Sequence, residues 1–327
     1  MKAIVIQTEQ KNKPLAWQEV PDPTYGADEV LVDVHATALN RADLMQRGGN
    51  YPPPPGAPNI LGLEMAGTIA AVGSEVSGWQ VGDRVCALLP GGGYAEQVNV
   101  PQAMLMPIPA GWSFEQAAAV PEVFYTAFVN IFMEANLQPG ETVLIHGGAS
   151  GVGTAGIQMV HAAGNPVFVT AGTDEKTAYC KELGADLAIN YKQEDFADRI
   201  KAHTNGAGVD VILDMVGADY LARNIDLLRL RGRLVFISTL SGSQTEIDLR
   251  HLMGRRLRLI GSVLRSRSLA EKVAVKEQFM TRFWDKLVNG SIRPIIDSTY
   301  PIIQANDAHE FMRQNKNIGK IILQVRS

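Results

Sequence analysis

Residues 142–155 read Thr-Val-Leu-Ile-His-Gly-Gly-Ala-Ser-Gly-Val-Gly-Thr-Ala. An apolar run, a glycine turn and a helix-forming run follow in that order, the local context of a dinucleotide fingerprint. Gly147, Gly148 and Gly151 permit a tight turn and close backbone approach to a pyrophosphate. Gly153 lets the helix pack on the strand, and the free N–H groups of Ser150, Gly151, Val152 and Gly153 at the helix start would face an anion. The string Gly148-x-Ser150-Gly151-x-Gly153 departs from G-x-G-x-x-G by the serine in its middle. Alone it also fits a plain strand–helix turn, so its surroundings must decide.

The end of the next strand says which dinucleotide would fit. An NAD site usually has Asp or Glu about 20 residues on, accepting from the ribose 2′-hydroxyl. Here residues 169–173 are Val-Thr-Ala-Gly-Thr, and no carboxylate stands at Ala171 or Gly172. Thr173 can donate a hydrogen bond and Lys176 a charge to a 2′-phosphate, so the cofactor is expected to be NADPH. The competing reading leaves Lys176 in solvent and turns Asp174 toward the ribose; Asp174 and Glu175 could equally serve the helix dipole.

Metal and nucleophile chemistry find little support. None of the six histidines has metal-ligand spacing or sits beside a cysteine in a nucleophilic motif, and His146 reads as a packed residue. Cys86 and Cys180 are too few for a disulfide framework or a four-cysteine zinc lobe, and read as buried small residues.

The elements that must position these groups fall into two textures. Residues 2–7, 15–20, 30–38, 66–72, 83–88 and 94–100 read as short strands, with a short helix near 40–47 and a surface loop at prolines 52–55. After Pro121, apolar runs alternate with helix-period segments. Strands at 142–146, 167–170, 187–190, 209–214, 234–238 and 257–262 are separated by helices at 154–163, 174–183, 194–203 and 221–228. That alternation implies parallel βαβ units and a doubly wound six-stranded sheet, which favours the dinucleotide reading of the glycine turn. The tail carries a helical pattern at 272–288 and a strand at 320–325.

In a chain of 327 residues this suggests two domains. With 46% hydrophobic and 20% charged residues, the composition is that of a globular protein rather than a disordered one. Thirty basic against thirty-four acidic residues give a net charge of −4, so no nucleic-acid partner is expected. The richest apolar stretch, 117–133, is broken by Pro121, Glu122 and Asn130, and no membrane association is expected. The N-terminus lacks the apolar run of a signal peptide, which gives a cytoplasmic expectation.

Several segments together resemble a known family. They are Ala-Leu-Asn-Arg-Ala-Asp-Leu-Met-Gln-Arg (38–47), Leu-Leu-Pro-Gly-Gly-Gly (88–93), Leu-Met-Pro-Ile-Pro (105–109) and Ser-Gly-Val-Gly-Thr-Ala (150–155). Others are Val-Thr-Ala-Gly (169–172), Leu-Arg-Ser-Arg (264–267) and Asn-Lys-Asn-Ile-Gly-Lys-Ile (315–321). Spread over the whole chain, they are similar to the medium-chain dehydrogenase/reductase superfamily, and within it to the zinc-free NADPH quinone oxidoreductases of the zeta-crystallin group. The resemblance implies an α/β architecture: a GroES-like β-rich catalytic domain (1–122 and 265–327) and a Rossmann domain with a parallel six-stranded sheet (123–264).

Zinc members of that superfamily hold catalytic metal through Cys, the His of Gly-His-Glu, and another Cys or Asp. The matching positions here are Asn40, Leu63 and Glu122, which cannot make a three-ligand zinc site. Hydride transfer from NADPH to a quinone is then the expected chemistry, the protein positioning the acceptor. Asn40 could hydrogen-bond an acceptor oxygen, Tyr51 could do the same or stack on a planar ring, and Asp43 could orient Asn40 or Arg41. Glu64 reads as structural. The resemblance also implies cofactor contacts at Tyr191, Gly217, Phe236, Ser238, Leu264, Ser266 and Asn317. The runner-up activity is reduction of activated C=C bonds in alkenals or enoyl thioesters, with Tyr51 as the only nearby tyrosine to give a proton; a non-catalytic NADPH-binding protein is the third reading. Residues 258–262 are expected to be the edge strand of the cofactor domain, pairing with a second copy in a homodimer.

Overall fold

The computed structural model describes residues 1–326, which group by internal contacts into two units. Met1–Val123, Arg265–Gln278 and the chain from Pro294 form the first unit; Phe124–Leu264 and Phe279–Arg293 form the second. The strands run β1 (Lys2–Ile6), β2 (Leu15–Glu19), β3 (Glu29–Ala38), β4 (Glu64–Val72), β5 (Arg84–Leu88), β6 (Gln97–Pro101) and β7 (Met106–Pro107). They continue with β8 (Val143–Ile145), β9 (Val167–Ala171), β10 (Leu187–Asn190), β11 (Val209–Asp214), β12 (Leu228–Phe236), β13 (Arg258–Gly261), β14 (Ile296–Pro301) and β15 (Lys320–Gln324).

In the first unit, β3 alternates so that Val30, Val32, Val34 and Ala36 are buried on one face. The sheet order is β14-β15-β3-β4-β5-β7, with β6 also on β3 and β1 pairing with β2. Ile4, Leu39, Leu61, Tyr94, Ile302, Ala308, Ile321 and Leu323 form one core of this unit. Antiparallel pairing sets Ile322 of β15 opposite Ala38 of β3, and two residues back along β15 this register brings Lys320 level with Asn40.

The second unit is the parallel sheet expected, in the order β10-β9-β8-β11-β12-β13. Its strands are near-continuous apolar runs because helices cover both faces. Leu144, Phe168, Ile189, Phe196, Ile212 and Leu234 belong to its core. Strand order reverses between β8 and β11, the switch point beside which such sheets bind ligands.

The structure departs from the sequence reading in the tail and at some boundaries. The chain from 265 does not stay in one unit: Phe279 and Phe283 pack on Phe128 at 5.9 and 6.0 Å between ring centroids, drawing Phe279–Arg293 into the second unit. Burying such rings contributes roughly 1.5–3 kcal/mol each. The tail helix starts at Leu269, three residues early, because Ser268 caps it through Glu271. It then passes through a π-helical turn, Met280–Trp284, before Asp285–Val288. β12 begins at Leu228, not 234; of the three arginines that masked its start, Arg229 pairs with Asp210 and Arg233 with Glu141, and Arg231 is exposed. β14 and the helices Leu249–Arg255 and Ala305–Arg313 were not read from the sequence, although Ala305, Ala308, His309 and Met312 are buried at helical spacing along the last of them. Among the described residues no helix is long and apolar enough to cross a membrane.

Candidate active site

Asn40 caps the helix Arg41–Gly48 at the end of β3. Its backbone N–H donates to Asp43 at 2.8 Å, and the other Asp43 oxygen accepts from the Gly62 N–H at 3.0 Å. Gly62 needs to be glycine: φ is +100°, and a Cβ would stand 2.7 Å from the backbone of Gly93 and Tyr94. Burial pushes the Asp43 carboxyl up to about 6, against these two N–H groups and the charges of Lys320 and Arg265. Of the two roles expected for Asp43, the structure gives it the backbone of Asn40; Arg41 instead bonds Asn315.

The Asn40 amide is committed within the chain. Nδ2 donates to Glu64 at 2.9 Å and to the Ala38 carbonyl at 3.3 Å, while Oδ1 accepts from Lys320 at 2.7 Å. The expectation that Asn40 would bond an acceptor oxygen is therefore corrected: both amide hydrogens are taken, and the residue positions rather than touches. Lys320, which the sequence reading missed, is 3% exposed, and its Nζ also donates to Glu64 and to the Leu39 carbonyl, each at 2.7 Å. Glu64, 0% exposed, accepts a further bond from the Glu122 N–H at 2.8 Å. The reading of Glu64 as structural understated it; it is the hub of this network.

These residues do not fit a catalytic zinc. Leu63 offers no donor atom, and an ammonium already sits 2.7 Å from both Asn40 Oδ1 and Glu64 Oε1. Among the described residues no group of three His, Cys, Asp or Glu could hold a metal ion.

Tyr51 follows the same helix, with the guanidinium of Arg265 5.4 Å from its ring centre. Burial raises the Tyr51 phenol, which keeps it protonated at neutral pH, and among the described residues its hydroxyl has no hydrogen-bond partner. Ser266 is exposed nearby in sequence, and Asn317 closes the turn before β15 by donating to the Gly319 carbonyl at 2.8 Å.

The second unit gathers the other candidates at the carboxyl ends of its parallel strands. Ser150 caps the helix Gly151–Ala162, its hydroxyl accepting from the Gly153 N–H at 3.0 Å. A Cβ on Gly153 would lie 2.3 Å from the Gly147 carbonyl oxygen, so only glycine lets the helix start this close to β8. Gly148 and Val152 lie on the same turn. Past β9, Thr173 caps the helix Asp174–Glu182 and accepts from the Lys176 N–H. Past β10, the Tyr191 hydroxyl lies over Gly172, 3.0 Å from where a Cβ would be. Asp174 is held aside by Asn190 at 2.7 Å and Gln193 at 3.2 Å, bonds that lower its carboxyl below the usual range. Past β11, Asp214 accepts from the N–H groups of Val216 and Gly217, shaping the turn that carries Gly217. Phe236 ends β12, with Ser238 two residues on, and Leu264 follows β13. His146 is buried between Thr170 at 3.0 Å and Asn224 at 2.8 Å; burial lowers it to about 4, so it is neutral and packed. Both cysteines are buried, and burial pushes the Cys180 thiol up to about 12.

Residues 26–110 match the alcohol dehydrogenase GroES-like domain, and residues 151–278 match the zinc-binding dehydrogenase domain. The quinone oxidoreductase of Rattus norvegicus is 34% identical over 307 residues, covering 93% of this chain and 92% of that protein. Escherichia coli quinone oxidoreductase, solved in complex with NADPH, superposes with a TM-score of 0.89 at 29% identity, covering 99% and 100% of the two chains. The CurK enoyl reductase superposes with a TM-score of 0.87, also at 29% identity, over 99% and 98%.

Proposed function

Because the chain belongs to the medium-chain dehydrogenase/reductase family, on its zinc-free quinone oxidoreductase branch, we propose that it reduces quinones with NADPH and without metal. The observation that carries this reading is the Lys320 ammonium, 2.7 Å from Glu64 and from Asn40, the residue that stands at one of the positions from which zinc relatives hold their Lewis acid. An acceptor reduced here must be electrophilic without a metal, as a quinone is. Bound NADPH supplies the hydride.

The chain's own residues do the rest. The N–H groups of Gly151 and Val152 hold the pyrophosphate, with Gly148 clearing the approach; those of Ser150 and Gly153 shape the turn instead, donating to the Gly147 carbonyl and the Ser150 hydroxyl. Thr173, Lys176 and Tyr191 surround the 2′-phosphate, and Asp174, tied to Asn190 and Gln193, stays off the ribose. Gly217, Phe236, Ser238 and Leu264 line the nicotinamide half along the strand ends. Ser266 and Asn317 are cofactor contacts on the family likeness alone. Tyr51 offers the acceptor a flat ring and a free hydroxyl, while Asn40 and Asp43 fix the backbone around it.

The likeness to CurK favours a second reading, reduction of a conjugated C=C bond. That reaction needs a proton at the α-carbon, and Tyr51, protonated at neutral pH, is the group that could give it. Steady-state turnover of NADPH with quinones, alkenals and enoyl thioesters separates the two. Quinones should exceed the others in kcat/KM by at least tenfold; preference for an enoyl thioester would replace the first reading with the second, and no turnover with any would end both.

The exposed edge strand β13, with Leu259 facing solvent, supports pairing with a second copy of the chain through a two-fold interface. Light scattering should give about twice the 35.4 kDa of one chain. A monomer at micromolar concentration removes the pairing.

A further inference from the structure

Arg265 stands at the start of the segment that follows β13, in the first unit, and is 6% exposed. Its Nε donates to the Pro90 carbonyl at 2.8 Å, which fixes the plane of the guanidinium. Among the described residues neither terminal nitrogen has a hydrogen-bond partner, although both are buried. Buried polar groups are ordinarily satisfied, and a charged one left open calls for an explanation. The nearest carboxylate cannot supply it. Asp43 already accepts from the Asn40 and Gly62 N–H groups, with the Tyr94 hydroxyl 3.4 Å away. Lys272 adds positive charge from the other side, its Nζ donating to the Arg265 carbonyl at 2.7 Å. What the guanidinium does touch is the Tyr51 ring, at 5.4 Å from its centre. A rigid fork of N–H donors beside an aromatic plate suits a planar ring that bears an anionic oxygen.

We propose that Arg265 is a catalytic residue that binds the acceptor's carbonyl oxygen and stabilises the oxyanion formed there on reduction. This rests on the reductase reading above. A quinone that gains a hydride takes up two electrons and one hydrogen; the negative charge falls on oxygen, giving a hydroquinone monoanion that one proton from water completes. A conjugated enal or enoyl thioester gains its hydride at the β-carbon, and the charge falls on an enolate oxygen. In either case the charge that develops is an oxyanion, the group that the free donors of Arg265 suit.

Two variants test it. Arg265→Gln keeps an N–H for the Pro90 carbonyl but removes the charge; Arg265→Lys keeps the charge but loses the fork. 4-Nitrophenol serves as a non-reacting analogue, its phenolate followed by absorbance in the presence of saturating NADP⁺. The wild type should bind the phenolate at least about tenfold more tightly than the phenol, and Arg265→Gln should lose that preference. Its kcat/KM for quinones should fall about 100-fold, within the range for removal of an oxyanion donor, with NADPH affinity by fluorescence within twofold of wild type. Arg265→Lys should keep the phenolate preference and lose about tenfold in kcat/KM. Arg265→Gln binding phenolate like wild type overturns the assignment. If the wild type reduces no quinone yet loses phenolate binding on Arg265→Gln, the oxyanion site stands and the quinone reading falls.

Discussion

Replacing Lys320 with Met lowers the stability of the protein by about 3–5 kcal/mol, the cost of removing one partner from a buried ion pair. The ammonium is 3% exposed and serves three acceptors at 2.7 Å; without it Glu64, 0% exposed, is left with only Asn40 and the Glu122 N–H as donors. At roughly 2–4 °C per kcal/mol for domains of 150–250 residues, the melting temperature falls by about 10 °C. The freed Asn40 amide can also rotate, so quinone turnover drops more than unfolding accounts for at the assay temperature. A second change repairs most of the loss: with Glu64→Gln added, both partners of the buried pair are removed together and the amide can bond Asn40. Melting curves of the two single variants and the double variant measure the coupling directly. If Lys320→Met melts with the wild type, the ammonium is not what holds this site together.

The second expected result is a reversal of cofactor choice. A hydrogen bond to a charged group contributes about 1.5–3 kcal/mol, so Lys176→Ala should weaken NADPH binding roughly ten- to a hundredfold and leave NADH nearly unchanged. Ala171→Asp should invert the preference, because Ala171 ends β9 beside Gly172 and a carboxylate there repels the 2′-phosphate while accepting from the ribose hydroxyls. The rival arrangement, Asp174 on the ribose, would first have to break the bonds from Asn190 and Gln193. Fluorescence titration of both cofactors decides. Equal affinity of the wild type for NADH and NADPH, or equal weakening of both by Lys176→Ala, contradicts the assignment.

What could be read from the chain was local. The glycine turn, Ser150 as a cap, the six parallel strands and the missing acid at Ala171 are properties of contiguous residues, and their chemistry holds wherever the fold sets them. The groups that matter most to the acceptor side were not legible, because their partners are remote in sequence. Lys320 meets Asn40 across 280 residues and Arg265 meets Pro90 across 175. The one local sign was a lysine opening an apolar strand, which more often marks a strand end in water. Asn40 was found for its position and given the wrong task, since nothing nearby in sequence reveals that Glu64, Ala38 and Lys320 take up its whole amide. β14 escaped notice because, of its three half-buried positions, Ser298 between Ile296 and Tyr300 is polar, which leaves only two apolar residues to mark the alternation.

The central claim is that this chain reduces quinones without a metal, Asn40 being bonded to the Lys320 ammonium rather than standing free for one, and it is tested most directly by removing metal. Purified protein dialysed against a strong chelator should contain well under one zinc per chain by elemental analysis, and its NADPH-dependent quinone turnover should equal that of undialysed protein. Stoichiometric zinc, lost together with turnover on chelation and restored with it on readdition, would contradict the account.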